Sequence, residues 1–320
     1  MATMTHDDTR SVADRRAGGL VLALVSAGAF GLSGPLAKAL IEAGWSPAAA
    51  VTLRSLVAAL VLLGPALHAL QGRWHLLRQN ARLLVFYGIV PVAGTQLAYF
   101  TAVSHMQVTA ALLIEYVAPV AVVGWLWLRY GQRPTRLTVG GGLLCLAGLV
   151  LVLNLVSGAQ LSPVGTISAL LAMVGCAVYF VVNASTDNGL PPMVLAAGGL
   201  LVGGVTLLVA GGLGLVSWHV TAASVTLGGA GVPWWVPVLL LGTVTAALAY
   251  VTGIEASRRL GSRLSSFVAL VEVLASLAWS WWLVGQVLLA VQWWGALLVL
   301  AGVVVVKLGE PAEPSDTMSA

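Results

Sequence analysis

The chain has 320 residues, of which 59% are hydrophobic and 8% charged, with a formal net charge of +4. A soluble domain carries roughly a quarter charged residues, and no soluble core of this size could hide so much apolar surface, so a soluble enzyme or a nucleic-acid-binding module is excluded. A mean hydropathy of +0.97 points instead to a bilayer.

Residues 1–17 are polar and mixed in charge, with Asp7, Asp8, Arg10, Asp14, Arg15 and Arg16. That composition predicts a disordered tail. Arg15-Arg16, the apolar run after them and the small Ala27-Gly28-Ala29 resemble a signal peptide. The apolar run continues to Leu40, however, longer than a cleaved signal core, so it reads as the first span. With one crossing per ~20 apolar residues, the pattern predicts ten spans: 18–41, 46–67, 82–103, 108–130, 136–156, 162–183, 191–214, 234–254, 264–285 and 290–308. Backbone polar groups in lipid must be satisfied internally, so these are expected as helices. The glycines at 140–142, 148, 198–199, 203–204 and 302 read as close helix contacts. Cys145 and Cys176 both fall inside apolar runs, so neither a disulfide framework nor a metal site is expected, and no cofactor motif stands out.

Lys and Arg set the orientation. They cluster in the amino-terminal tail (Arg10, Arg15, Arg16), the second connection (Arg73, Arg78, Arg82), the fourth (Arg129, Arg133, Arg136) and the eighth (Arg258, Arg259, Arg263), with Lys307 closing the last span. The alternate connections carry none. The positive-inside rule then places both termini in the cytoplasm. Trp45, Trp218, Trp234, Trp235, Trp293 and Trp294 fall at the opposite interface, as an aromatic belt would.

Two stretches 154 residues apart are copies: Trp125-Leu126-Trp127-Leu128-Arg129-Tyr130-Gly131-Gln132 and Trp279-Ser280-Trp281-Trp282-Leu283-Val284-Gly285-Gln286. At the same offset Gly141–Val152 lies over Gly295–Val306, and Leu97–Thr101 is answered by Leu248–Thr252 after a three-residue slip. The chain thus divides into a cytoplasmic tail (1–17), a first repeat (18–156), a second repeat (162–308) and a second cytoplasmic tail (309–320). Five spans per half is an odd number, so the halves enter the membrane from opposite sides. Such inverted repeats recur in secondary transporters, which alternate access to a midplane site by exchanging the conformations of the halves.

The duplicated block resembles the drug/metabolite transporter superfamily in its ten-span EamA form. The resemblance covers about residues 18–308 and rests on Pro119-Val120 followed by Gly131-Gln132-Arg133-Pro134, and on Glu272-Val273-Leu274 followed by Gly285-Gln286. Thr52-Leu53-Arg54 and Ala177-Val178-Tyr179 match as well. Two departures stand out: Gly-Gln replaces the family's Gly-Glu in both halves, and Val273 replaces a proline. The resemblance implies an all-α membrane protein that transports rather than catalyses. It implies small metabolites as cargo, foremost amino acids for export, across the plasma (inner) membrane, with drugs, nucleosides or sugars as alternatives.

Few ionisable residues lie within the spans: Lys38, Arg54, Glu115 and Glu272, with Glu42 and Glu255 nearer the ends. A charge at mid-bilayer costs at least ~2.5–3.5 kcal/mol, so it faces a cavity or a partner. Glu115 reads as a proton-coupling or amine-binding carboxylate. Arg54, at similar depth, is its expected counter-ion, either a clamp for a substrate carboxylate or half of a structural ion pair. Glu272 reads as a cavity acid or a cap on broken backbone, and Lys38 as a side chain that snorkels to the interface. Gln96, Tyr99, Thr101, His105, Tyr179, Asn183, Tyr250 and Thr252 complete the candidate lining, Tyr99 and Tyr250 at corresponding positions of the halves. Substrate and ion binding are therefore assigned to Arg54, Gln96, Tyr99, Glu115, Tyr179, Asn183, Tyr250 and Glu272. The expected partners are a small molecule, the lipid bilayer and a coupling proton or other ion, with no nucleic acid. No Gly-x-x-x-x-Gly-Lys loop is present to bind ATP. Gly31-Leu32-Ser33-Gly34 fits the surroundings of an intramembrane serine nucleophile, but such a serine needs a histidine base in reach, and His105 and His219 fall near span ends.

Overall fold

The computed structural model describes residues 6–106, 108–152, 162–284 and 289–309. Its helices are α1 (His6–Gly31), α2 (Ser33–Glu42), α3 (Pro47–Leu70), α4 (His75–Gln79), α5 (Ala81–Tyr87), α6 (Thr95–His105), α7 (Val108–Glu115), α8 (Ala118–Tyr130), α9 (Arg136–Val152), α10 (Pro163–Ala184), α11 (Pro192–Gly212), α12 (Trp235–Gly242), α13 (Ala249–Val268), α14 (Val271–Val284) and α15 (Ala290–Gly309). Two π-helical segments, Gly88–Gly94 and Thr243–Leu248, join α5 to α6 and α12 to α13. Strands β1 (Val225–Leu227) and β2 (Ala230–Val232) form an antiparallel hairpin between α11 and α12.

Among the described residues six stretches are long and apolar enough to cross a membrane: Ala17–Glu42, Pro47–Leu70, Ala81–His105, Pro163–Ala184, Pro192–Gly212 and Trp235–Val268. Shorter apolar helices cover Arg136–Leu151, Val271–Leu283 and Trp293–Gly309. Their outward faces carry large apolar side chains in the open, Leu60 at 72% and Leu143 at 63% exposure among them. Apolar surface on this scale belongs against lipid tails.

Local sequence explains where the helices break. Pro35 removes a backbone donor and parts α1 from α2 at Leu32. Pro119 opens α8 and separates it from α7 at Tyr116-Val117. Between α13 and α14 the helix breaks at Ala269-Leu270 without a proline, and 116 and 270 are 154 residues apart, the repeat offset.

Two expectations change. The backbone of residues 6–17 is helical as the start of α1, where composition suggested disorder. The predicted loop between the eighth and ninth spans is a one-residue kink at Gly261 inside α13, with φ 79° and ψ 164°, a conformation open to glycine.

Helices α9 and α15, the last of each repeat, pack against each other antiparallel through glycines. Gly141 meets Gly302 and Val306, whereas Gly148 meets Gly295 and Val299. A Cβ on Gly302 would stand 2.7 Å from both the Gly141 carbonyl oxygen and the Cys145 backbone nitrogen, atoms that cannot retreat without moving a helix. Gly302→Leu is expected to cost about 1–3 kcal/mol by overpacking, read as a lower melting midpoint of the detergent-solubilised protein. Gly140→Leu, where an added Cβ meets nothing within 4 Å, is the neutral comparison.

Candidate functional site

One cavity gathers most of the chemistry. It is lined by α1 (Ala23, Ser26, Ala27, Phe30), the first π-helical segment and α6 (Pro91, Thr95, Gln96), the junction of α7 and α8 (Glu115, Tyr116, Ala118, Pro119), α10 (Cys176, Tyr179, Phe180), α13 (Tyr250, Gly253, Ala256, Ser257, Ser265, Ser266) and the start of α14 with the turn before it (Ala269, Glu272). Counted out to its open mouth, with the solvent there included, it measures about 780 Å³. The lining runs from mid-span Glu115 and Glu272 towards Ala23, Ser257 and Ser265, the end that carries the arginine-bearing connections. The opposite end is packed shut by Leu36, Leu40, Trp45, Val51, Val225 and Leu241, all nearly inaccessible.

The two acids owe their positions to the helix breaks. Glu115 is the last residue of α7, and Glu272 lies in the first turn of α14, where the helix dipole favours a carboxylate. Gly31, at the kink in the first span, brings that span onto α14; a Cβ there would lie 2.9 Å from the Glu272 carbonyl oxygen. The motif around Ser33 is thus a kink and packing contact. Tyr116, the next residue, also faces the cavity, at the point where the helical bonding tightens from Tyr116 N–Leu112 O to Val117 N–Ile114 O. Its buried hydroxyl lies near Glu272 without an aligned hydrogen bond.

Of the eight residues assigned from sequence, Gln96, Glu115, Tyr179, Tyr250 and Glu272 line the cavity, whereas Arg54, Tyr99 and Asn183 lie behind its wall. Tyr99 packs edge-on to Phe100, ring centroids 5.9 Å apart. Asn183 is fully buried beside the hydroxyls of Tyr87 and Tyr179. Thr101, His105 and Thr252 do not line the cavity; the Thr101 carbonyl lies 2.9 Å from His105 Nδ1, and Thr252 Oγ1 donates to the Leu248 carbonyl at 2.8 Å.

Arg54 is 1% exposed, and the ion pair expected with Glu115 is not formed. Among the described residues the ion pairs are Lys38–Glu42 at 3.7 Å and Arg259–Glu255 at 2.6 Å. Arg54 donates from Nε to Thr245 Oγ1 (3.2 Å), from Nη2 to the Thr245 carbonyl (2.6 Å) and from Nη1 to Gln96 Oε1. Its guanidinium lies 5.9 Å from the Phe30 ring centre. Thr245 belongs to the π-helical turn, whose altered backbone register presents the acceptor.

Sequence reasoning missed Phe30, Tyr116 and Phe180, and the serines at 26, 257, 265 and 266. Phe30 carried a usable signal as a lone aromatic in the first span. Tyr179 and Tyr250 meet edge-on at 5.6 Å, and Phe30 and Tyr250 at 5.3 Å. One tryptophan placed at the interface by sequence is packed instead: Trp45 is buried against Trp234, centroids 5.7 Å apart. Trp279 is packed as well and donates to the Gly28 carbonyl at 2.9 Å.

No curated protein matches the sequence of this chain. A solved structure titled only "Crystal structure of protein" shares the fold, with a TM-score of 0.73 at 22% identity over 94% of this chain and 99% of that one. The description "EamA-like transporter family" matches twice, over residues 17–154 and 163–308. The two matches fall on the two copies read from the sequence and together span most of the chain, which therefore belongs to the EamA-like transporter family, the EamA type of the drug/metabolite transporter superfamily.

Proposed function

We propose that this protein is a secondary exporter of amino acids or related amine-bearing metabolites, working by alternating access between two inverted five-helix repeats in the plasma membrane, with both termini in the cytoplasm. The observation that carries the reading is the pair of carboxylates, Glu115 and Glu272, held in one cavity at helix breaks in the fourth and ninth spans. Broken helices at mid-membrane are where secondary transporters build substrate and ion sites. The cavity is lined by the first, third and fourth spans and by their counterparts, the sixth, eighth and ninth, as a pseudo-two-fold site requires. The antiparallel contact of α9 with α15 supports the same symmetry.

The chemistry follows from competition. A carboxylate in the cavity can hold a proton or a substrate ammonium, but not both at full strength. A proton arriving from the acidic side displaces the substrate, and the reverse exchange resets the site. The arrangement supports proton-driven antiport, with the cavity open at its arginine-bearing end and sealed at the other.

The test is efflux from expressing cells, followed by mass spectrometry over amino acids, amines, nucleosides and sugars. Wild type is expected to export at least one amine-bearing compound faster at an external pH of about 6 than about 8, because inward proton flow drives exit. Glu115→Gln is expected to remove that pH dependence. Unchanged efflux with unchanged pH dependence in Glu115→Gln would make Glu115 structural.

A further inference from the structure

Resting on the proposed transport site, we infer that the cavity selects a monovalent organic cation with an apolar or aromatic body, and discriminates against the zwitterion that carries a carboxylate beside the same amine. The inference comes from the charges the wall presents. Among the described residues lining the cavity, Glu115 and Glu272 are the carboxylates, and no Lys, Arg or His is present.

The nearest candidate to bind a substrate carboxylate is Arg54, and the structure commits it elsewhere. Each of its three guanidinium nitrogens donates to protein, two of them to Thr245 and one to Gln96. It does not line the cavity, and it lies against the ring of Phe30, which does. With one of the two carboxylates ionised, the lining carries one negative charge in excess and no positive charge. A monocation balances that excess. A zwitterion does not, and its carboxylate would enter an acidic cavity with no cation to receive it, which is costly in a low-dielectric site.

The rest of the wall fits the cation's body. Phe30, Tyr116, Tyr179, Phe180 and Tyr250 supply five aromatic rings, whose faces attract ammonium groups as well as apolar surface. Ser26, Ser257, Ser265 and Ser266 add small polar groups towards the open end, leaving width for a ring.

The experiment uses the full-length protein in liposomes, with counterflow uptake of three probes sharing one skeleton: phenylalanine, phenethylamine and phenethyltrimethylammonium. The quaternary probe is decisive, because it keeps its charge at every pH and does not leak through lipid as a free base. Both cations are expected to be taken up with kcat/KM at least ten-fold above phenylalanine. The ten-fold preference is expected to collapse in Glu115→Gln and Glu272→Gln. Phenylalanine moving as well as the cations, or better, overturns the inference and leaves amino-acid export standing. Uptake of an uncharged solute such as uridine, with none of the three probes moving, overturns both. Wild type alone supplies the ratio, so a variant that fails to fold does not leave the question open.

Discussion

Joining Ser46→Cys to His219→Cys by oxidation is expected to arrest transport, and reduction to restore it. The turn between α2 and α3 and the segment leading to the hairpin are laced together across the sealed end. Ser46 N donates to the His219 carbonyl at 3.0 Å, and His219 N returns a bond to Ser46 Oγ at 3.1 Å. Trp45 Nε1 donates to the Thr221 carbonyl at 3.0 Å, and Thr221 Oγ1 to the Ala43 carbonyl at 2.8 Å. Val225 of the hairpin is fully buried in the same core. These contacts join the first repeat to the second, so a site that opens at this end has to part them. Each hydrogen bond is worth about 1 kcal/mol net, and the Trp45–Trp234 contact roughly 0.5–1.5 kcal/mol. A closure worth several kcal/mol holds an open state at the 0.1–10% populations from which ligands select. A covalent link adds a restraint that thermal motion does not break.

The two reciprocal bonds hold residues 46 and 219 side by side, and a disulfide spans Cα separations of about 4.4–6.8 Å, so complete cross-linking is verified before transport is read. Ser46 also caps α3 by accepting from Ala49 N at 3.3 Å, so the single Ser46→Cys change costs about 1 kcal/mol. The relevant comparison is therefore oxidised against reduced double variant, in a Cys176→Ser background because Cys176 lines the cavity. Transport below a tenth of the reduced rate is the expected reading. Full transport after complete cross-linking, verified by mass, would show that this end stays shut throughout the cycle.

Legibility in the sequence was uneven, for physical reasons. Hydropathy sums located the apolar helices well, because partition into lipid depends on composition more than on local geometry. Five of the eight assigned site residues reached the cavity because a polar or charged side chain in a span has few places to go. Depth alone, however, does not fix which way a helix face turns. Arg54 and Glu115 stand at similar depth yet separate, because the π-helical turn at 243–248 offers Arg54 a carbonyl that hydropathy cannot register. The break at Ala269-Leu270 was equally silent, since Val273 stands where the resemblance would place a proline. There the close approach of Gly31 accompanies what proline enforces at Tyr116-Val117. The hairpin between α11 and α12 read as a connection, yet its Val225 is core. Repeat arithmetic did better than residue chemistry, because the breaks obey the 154-residue offset while Glu115 and Glu272 do not.

Replacing Arg54 separates a scaffold role from a substrate role. Its three donors tie the third α-helix to the π-helical turn of the eighth span and to Gln96 of the third span. Hydrogen bonds to a charged group contribute roughly 1.5–3 kcal/mol each, and Arg54→Ala also leaves buried acceptors without donors. The expected result is a loss of about 3 kcal/mol or more in stability, seen as a large fall in melting midpoint and poor recovery from membranes. Arg54→Lys keeps the charge, but its point-like ammonium does not reproduce a planar fork that reaches two helices at once, so it is expected to recover only part of the loss. Wherever either variant is recovered folded, transport of all cargo is expected to fall together, with the ratio between phenethyltrimethylammonium and phenylalanine unchanged. A clamp for a substrate carboxylate predicts the opposite pattern: near-normal stability, intact cation transport and selective loss of phenylalanine. That outcome would place Arg54 in the cavity during part of the cycle and would require the π-helical turn at Thr245 to release it.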